Sequence, residues 1–156
     1  MTNTLVTPET YILAETDRQF DIVAKMAGGV NRLLHFRSPT PLDRQNVIRM
    51  NRDTLYSMGI VDTSKGATIT VPELPKGRYA SVQLIDNDHY CPFVIYKSGT
   101  HELPRDTKYL GIGVRIQVFN PKDADEWPWS TSCKISSASR PTAAIHCPIS
   151  SGTLNR

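Results

Sequence analysis

Leu55-Tyr56-Ser57-Met58-Gly59-Ile60-Val61 and, after five further residues, Ala67-Thr68-Ile69-Thr70-Val71-Pro72 decide the fold. Both runs are rich in β-branched and apolar residues, and the second alternates apolar with polar before proline stops it, as a half-buried strand does. Three more such runs follow. Tyr79 to Ile85 alternates and enters the turn Asp86-Asn87-Asp88, Phe93 to Tyr96 is short and aromatic, and Tyr109 to Phe119 is long and contains Gly111 and Gly113. Glycines at those places predict a bulge or a close backbone approach. Strands spaced about a dozen residues apart leave no room for helical crossovers, so they predict an antiparallel sandwich or partial barrel.

Toward the N-terminus the pattern changes. Thr7-Pro8-Glu9 has the form of a helix start, with a capping hydroxyl, a proline in the first turn and a carboxylate at the positive dipole end. Ile12, Thr16, Phe20, Val23, Ala24 and Ala27 recur at helical spacing until Gly28-Gly29 ends the run. A second short helix is predicted over Val30 to Phe36, before Pro39 and Pro41 impose extended backbone.

Composition narrows the function classes. At 156 residues the chain has the size of one domain. Eighteen basic and fifteen acidic residues are scattered without a like-charge block, which argues against a nucleic-acid partner. No apolar run reaches the roughly 18 residues of a membrane span and no leader is visible, so no membrane association and a cytoplasmic location are expected. Eleven prolines and a mean hydropathy of -0.33 fit a chain of strands and loops. The three cysteines, Cys91, Cys133 and Cys147, lack metal-type spacing.

Two polar clusters stand out. Ile48-Arg49-Met50-Asn51-Arg52-Asp53-Thr54-Leu55-Tyr56-Ser57 places two guanidinia, a carboxylate, an amide and a phenol at the mouth of a strand. Asp86, Asp88, His89 and Tyr90 lie beyond another strand, and a sandwich is expected to bring the two groups to one end as a pocket. In that pocket Arg52 would clamp a carboxylate or phosphate, and His89 would act as general acid or base with Asp88 or Asp86 orienting its ring. Tyr56 or Tyr90 would donate a hydrogen bond to a developing oxyanion.

Asn51, Arg52, Asp53, Asp86, Tyr90 and Arg115 complete the candidate ligand-binding set, with a small anionic ligand as the expected partner. The alternative is structural: Asx side chains close turns on their own backbone, and Asp53 with Arg52 or Arg49 would be an ion pair fixing the loop. No nucleophile is set up, since Ser57 lies outside a Gly-x-Ser-x-Gly elbow and Cys91 has no evident base. Asp86, Asp88 and His89 are too crowded in one turn to close a coordination sphere, so no metal site is assigned, and no motif names a cofactor.

In combination, the segment from Ile48 to Ser57, Gln83-Leu84-Ile85-Asp86-Asn87-Asp88-His89-Tyr90, and Tyr109 to Val118 resemble the domain of unknown function 1254. Glu15-Thr16-Asp17-Arg18 and Pro41-Leu42-Asp43 are similar too, so the resemblance covers about residues 7 to 126. It implies an immunoglobulin-like antiparallel β-sandwich with an N-terminal α-helix, usually followed by a second β-rich domain for which this chain has no room. Alternation sends Arg115 to the face opposite Val114 and Ile116, which leaves it either outward or inward to pair with Asp53 or Asp86; the resemblance, which implies a basic residue there, favours the inward pairing. The expected organisation is therefore a single domain over residues 1–126 and an irregular tail over 127–156.

After Asp123-Ala124-Asp125-Glu126 the apolar periodicity is lost. Trp129-Ser130-Thr131-Ser132-Cys133-Lys134-Ile135 is compatible with codons that, read two bases later, give Val-Asn-Glu-Leu-Gln-Asp, the helix that the resemblance implies there. A frameshift from about residue 127 is the expectation, with Cys133, His146 and Cys147 carrying no chemistry. A truncated sandwich would leave apolar surface uncovered, so a homo-oligomer or an aggregation-prone chain is expected. Two functions remain open: a small-molecule binding or structural module from a two-domain protein, and a hydrolase-like or lyase-like enzyme using His89, Asp88 and Arg52.

Overall fold

The computed structural model describes residues 6–45, 48–120, 122 and 133–137. Two antiparallel sheets face each other. The first has five strands in the order β1-β2-β7-β4-β5, comprising Arg32–His35, Thr54–Asp62, Tyr109–Gln117, Ala80–Asp86 and Val94–Ile95. The second has the order β6-β3-β8, comprising Gly99–Glu102, Ala67–Val71 and Lys134–Ser137. Helix α1, Tyr11–Met26, packs on the outer face of the five-stranded sheet. The fold is mainly β, an antiparallel sandwich with an N-terminal helix.

Alternation builds the core. Val61 on β2, Leu110, Ile112, Val114 and Ile116 on β7, and Val82 and Leu84 on β4 all point inward, where they meet Ala67, Ile69 and Val71 of β3. Each strand's other residues therefore point away from this layer. The register between β2 and β7 runs unbroken from Thr54↔Gln117 to Asp62↔Tyr109, so neither Gly111 nor Gly113 makes the predicted bulge. Gly111 does mark a close approach: a Cβ there would lie 2.9 Å from the Phe20 ring of α1.

Three local expectations are corrected. The helix begins at Tyr11, because Thr7 and Thr10 bind each other: the Thr10 N–H donates to the Thr7 carbonyl at 3.1 Å and the Thr7 N–H to Thr10 Oγ1 at 2.9 Å. Thr7-Pro8-Glu9 is thus the turn before the helix. Thr16 is buried and Phe20, Val23, Ala24 and Ala27 are partly covered, but Ile12 is 56% exposed and outside that face. The predicted helix over Val30 to Phe36 is instead strand β1, paired to the edge of β2. Gly28, Gly29 and Asn31 all adopt positive φ and turn the chain back, and four residues gain more from a ready strand edge than from a helical nucleus.

Two strands were absent from the sequence reading. Gly99-Thr100-His101-Glu102 has no apolar alternation, yet it pairs with β3, and Lys134–Ser137 pairs with the opposite edge of β3. Residues 133–137 are the described part of the tail; its remainder, including His146 and Cys147, lies outside the described residues. Cys133 is buried in the core, and that burial pushes its thiol up to about 11, which keeps it protonated. On α1, Arg18 and Gln19 bind Glu15 and hold its carboxyl down at about 2, and Lys25 pairs with Asp21.

Candidate functional site

The loop before β2 is a turn closed on itself. Asn51 Oδ1 accepts the Asp53 N–H at 2.7 Å and Asn51 Nδ2 donates to Thr54 Oγ1 at 3.3 Å, while the Asp53 carbonyl accepts the Val118 N–H at 2.8 Å. This is the Asx geometry that the structural alternative required. Among the described residues no ion pair joins Asp53 to Arg49 or Arg52. Asn51 and Asp53 are exposed and Arg52 is half-buried.

Tyr56 and Arg115 are cross-strand partners on the outer face, with the guanidinium 5.5 Å from the ring centroid. Arg115 is exposed. The expected inward pairing with Asp53 or Asp86 does not occur, because Val114 and Ile116 take the inward positions and alternation forces Arg115 out.

The turn after β4 is fastened on several sides. Asp86 Oδ1 accepts the Tyr90 N–H at 2.8 Å, the Asp86 N–H donates to the Tyr90 carbonyl at 2.9 Å, and His89 takes a left-handed φ of 68°. Asn87 Nδ2 donates to Asp17 of α1 at 3.0 Å, and Asn87 Oδ1 accepts the Tyr109 N–H of β7 at 3.0 Å. His89 Nδ1 lies 2.9 Å from the buried Thr16 hydroxyl, which is 2.8 Å from the Ile12 carbonyl. A hydroxyl has one proton; given to Ile12, it leaves Thr16 to accept from His89 Nδ1–H. Thr16 therefore orients the imidazole, and neither Asp88 nor Asp86 does. Asp88 is exposed and Tyr90 is 71% exposed.

The two clusters do not meet. Thr54 aligns with Gln117 on β7, whereas Asp86 aligns with Leu110, so the clusters sit at opposite ends of the sheet. Seven residues of strand separate those levels, roughly 23 Å at about 3.3 Å per residue. The expected common pocket is not formed, and Arg52 and His89 cannot address one small ligand.

Other residues gather at the Asn51–Asp53 end. Arg78 Nη1 donates to the Gln117 carbonyl at 2.8 Å and its guanidinium lies 4.7 Å from the Phe119 ring centroid. Tyr79 and Tyr96 are tilted against each other with centroids 6.2 Å apart. A cleft of about 270 Å³ opens between the β3–β4 loop and the end of β5. The signal for Arg78-Tyr79 was available: they stand at a strand mouth as Arg52-Asp53 do. Also unread was the pair His35 Nδ1 and Ser57 Oγ, 2.8 Å apart on neighbouring strands, with Ser57 only 1% exposed and so out of a substrate's reach. Among the described residues no group of three or more His, Cys, Asp or Glu is placed to hold a metal.

Comparison with known proteins agrees with this architecture. Residues 30–102 match the model of the DUF1254 family, a protein family of unknown function. Two of the motifs that carry the resemblance, Ile48 to Ser57 and Gln83 to Tyr90, fall inside that match. Among solved structures, the VPA0106 protein from Vibrio parahaemolyticus is similar, with a TM-score of 0.63 and 19% sequence identity over 83% of this chain. At that identity the likeness is one of fold. The chain spans 36% of the VPA0106 chain. No curated protein matches it. No helix among the described residues is long and apolar enough to cross a membrane.

Proposed function

We propose that this chain is a binding or structural β-sandwich module, the N-terminal part of a two-domain protein, with a small anionic ligand as its partner. The observation that carries the reading is the Asp86–Tyr90 turn, where Asp86, Asn87 and His89 hold backbone, α1 and β7 in place. An acid–base pair would need Asp88 to orient His89, and the Thr16 hydroxyl takes that place. The DUF1254 match and the fraction of VPA0106 that the chain spans support a module of a larger unit. Unpaired thiols at Cys91 and Cys133 are in keeping with a cytoplasmic home.

Thermal melting of two variants tests the reading. His89→Ala should lower stability by about 1 kcal/mol, because it removes the bond to a buried hydroxyl. Asp88→Ala should stay within about 0.5 kcal/mol of the parent, as an exposed substitution does. An unchanged melt for His89→Ala would remove the support for a fastening role, and an acid–base pair would then be the better account.

Self-association is part of the proposal. Tyr11, Ile12 and Phe93 are each more than half exposed, at 57%, 56% and 61%, an apolar load that favours contact with a second copy. Light scattering should therefore give a mass above that of one 17.4 kDa chain, and a monodisperse monomer would contradict it.

A further inference from the structure

We propose that the cleft between the β3–β4 loop and the end of β5 binds a small carboxylate with a flat apolar body. This rests on the reading of the chain as a binding module and gives that module a place and a ligand class. The cleft holds about 270 Å³, the volume of roughly nine waters at ~30 Å³ each, which suits a ligand of about ten non-hydrogen atoms. The cleft is open and its lining is more polar than apolar; Leu74 and Tyr96 give it an apolar patch, and Lys76, Arg78 and Glu73 give it charge.

The chemistry selects the ligand. Two cations against one carboxylate leave the lining net positive, so a single negative charge is matched and a second would face Glu73. The Arg78 guanidinium is engaged by the Gln117 carbonyl and the Phe119 ring, so Arg78 adds positive charge to the lining, and the Tyr96 ring lies tilted against Tyr79. The Tyr96 ring is thus partly ordered before the ligand arrives, which reduces the entropy lost on binding. Lys76 at the exposed loop tip supplies a mobile point charge for the carboxylate, and the Tyr96 ring supplies the face on which a planar body stacks.

Benzoate is the probe, titrated into the full chain while backbone amide resonances are followed by NMR. Saturable shifts are expected at Leu74, Lys76, Gly77 and Arg78 and at Tyr96 to Ser98, with a dissociation constant on the order of 1 mM for so small a ligand. Acetate, which lacks the ring, and inorganic phosphate, which lacks the ring and carries more charge, should each bind at least about fivefold more weakly. Lys76→Gln and Tyr96→Ala should each weaken benzoate by a similar factor while the dispersion of the spectrum stays that of the folded parent.

Shifts scattered over the surface, phosphate equal to benzoate, or variants that bind as the parent does would each overturn the site. A folded chain that ignores benzoate would leave the fastening role of the Asp86–Tyr90 turn intact. That role fails separately, on the melting of His89→Ala.

Discussion

Gly59→Ala is expected to destabilise the protein by about 3 kcal/mol or more, the largest effect of any single methyl group here. A Cβ at position 59 would lie 2.1 Å from the Arg32 carbonyl oxygen and 3.1 Å from Leu33 Cδ2. The first contact is with backbone, which cannot rotate away. Relief requires β1 to move off β2, and that would disrupt the pairs Arg32↔Ile60 to His35↔Ser57 and the 2.7 Å bond from the Asn31 N–H to the Ile60 carbonyl. Urea unfolding measures the loss directly. Gly113→Ala is the control: its Cβ would meet nothing closer than the Gln83 carbonyl at 3.9 Å, so it should cost little, or stabilise by up to about 1 kcal/mol through the unfolded chain. Equal losses at the two positions would show that general strand propensity, and not the approach of β1, governs both.

What could be read without coordinates follows from how local each cause is. Ala67–Val71 has the boundaries that its alternation predicts, since an alternating run closed by proline leaves no other register, and β2, β4 and β7 are right to within two residues at either end. β1 was misread because its conformation is set by the open edge of β2, a partner more than twenty residues away in sequence. β6 escaped because Gly99-Thr100-His101-Glu102 carries no apolar pattern; its reason for being a strand is the free edge of β3.

The site was harder to read than the fold. Asn51 and Asp86 each sit at a strand end, and sequence can identify a strand end but not which ends coincide. That depends on strand order, and here β7 lies between β2 and β4. In an antiparallel β2-β7-β4 arrangement, β2 and β4 run parallel to each other, so the start of one and the finish of the other are at opposite ends. Thr16 gave no warning that it would orient His89, because a threonine at helical spacing looks like one more covered position. The cation–π partner of Tyr56 was readable only in part: alternation offered Arg115 an outward place, and the family resemblance argued for an inward one.

Asn87→Ala is expected to cost about 2 kcal/mol, more than any other substitution in the Asp86–Tyr90 turn. Its amide joins three elements, donating to Asp17 on α1 at 3.0 Å and accepting from the Tyr109 N–H on β7 at 3.0 Å, while its own backbone continues from β4. Alanine deletes both side-chain bonds and leaves the Tyr109 N–H, on a half-buried residue, without its acceptor. The loss should appear as a fall in melting temperature of about 4–8 °C for a chain of this size. Asp17→Asn is the control that leaves both bonds in place. It keeps a carbonyl acceptor for Asn87 Nδ2 on the exposed side of α1, so it should cost less than about 0.5 kcal/mol. If Asn87→Ala and Asp17→Asn are equally mild, the bond to Tyr109 is not holding β7 to the turn. The Asp86–Tyr90 segment would then be free to serve a ligand, and the case for a purely fastening turn would fall.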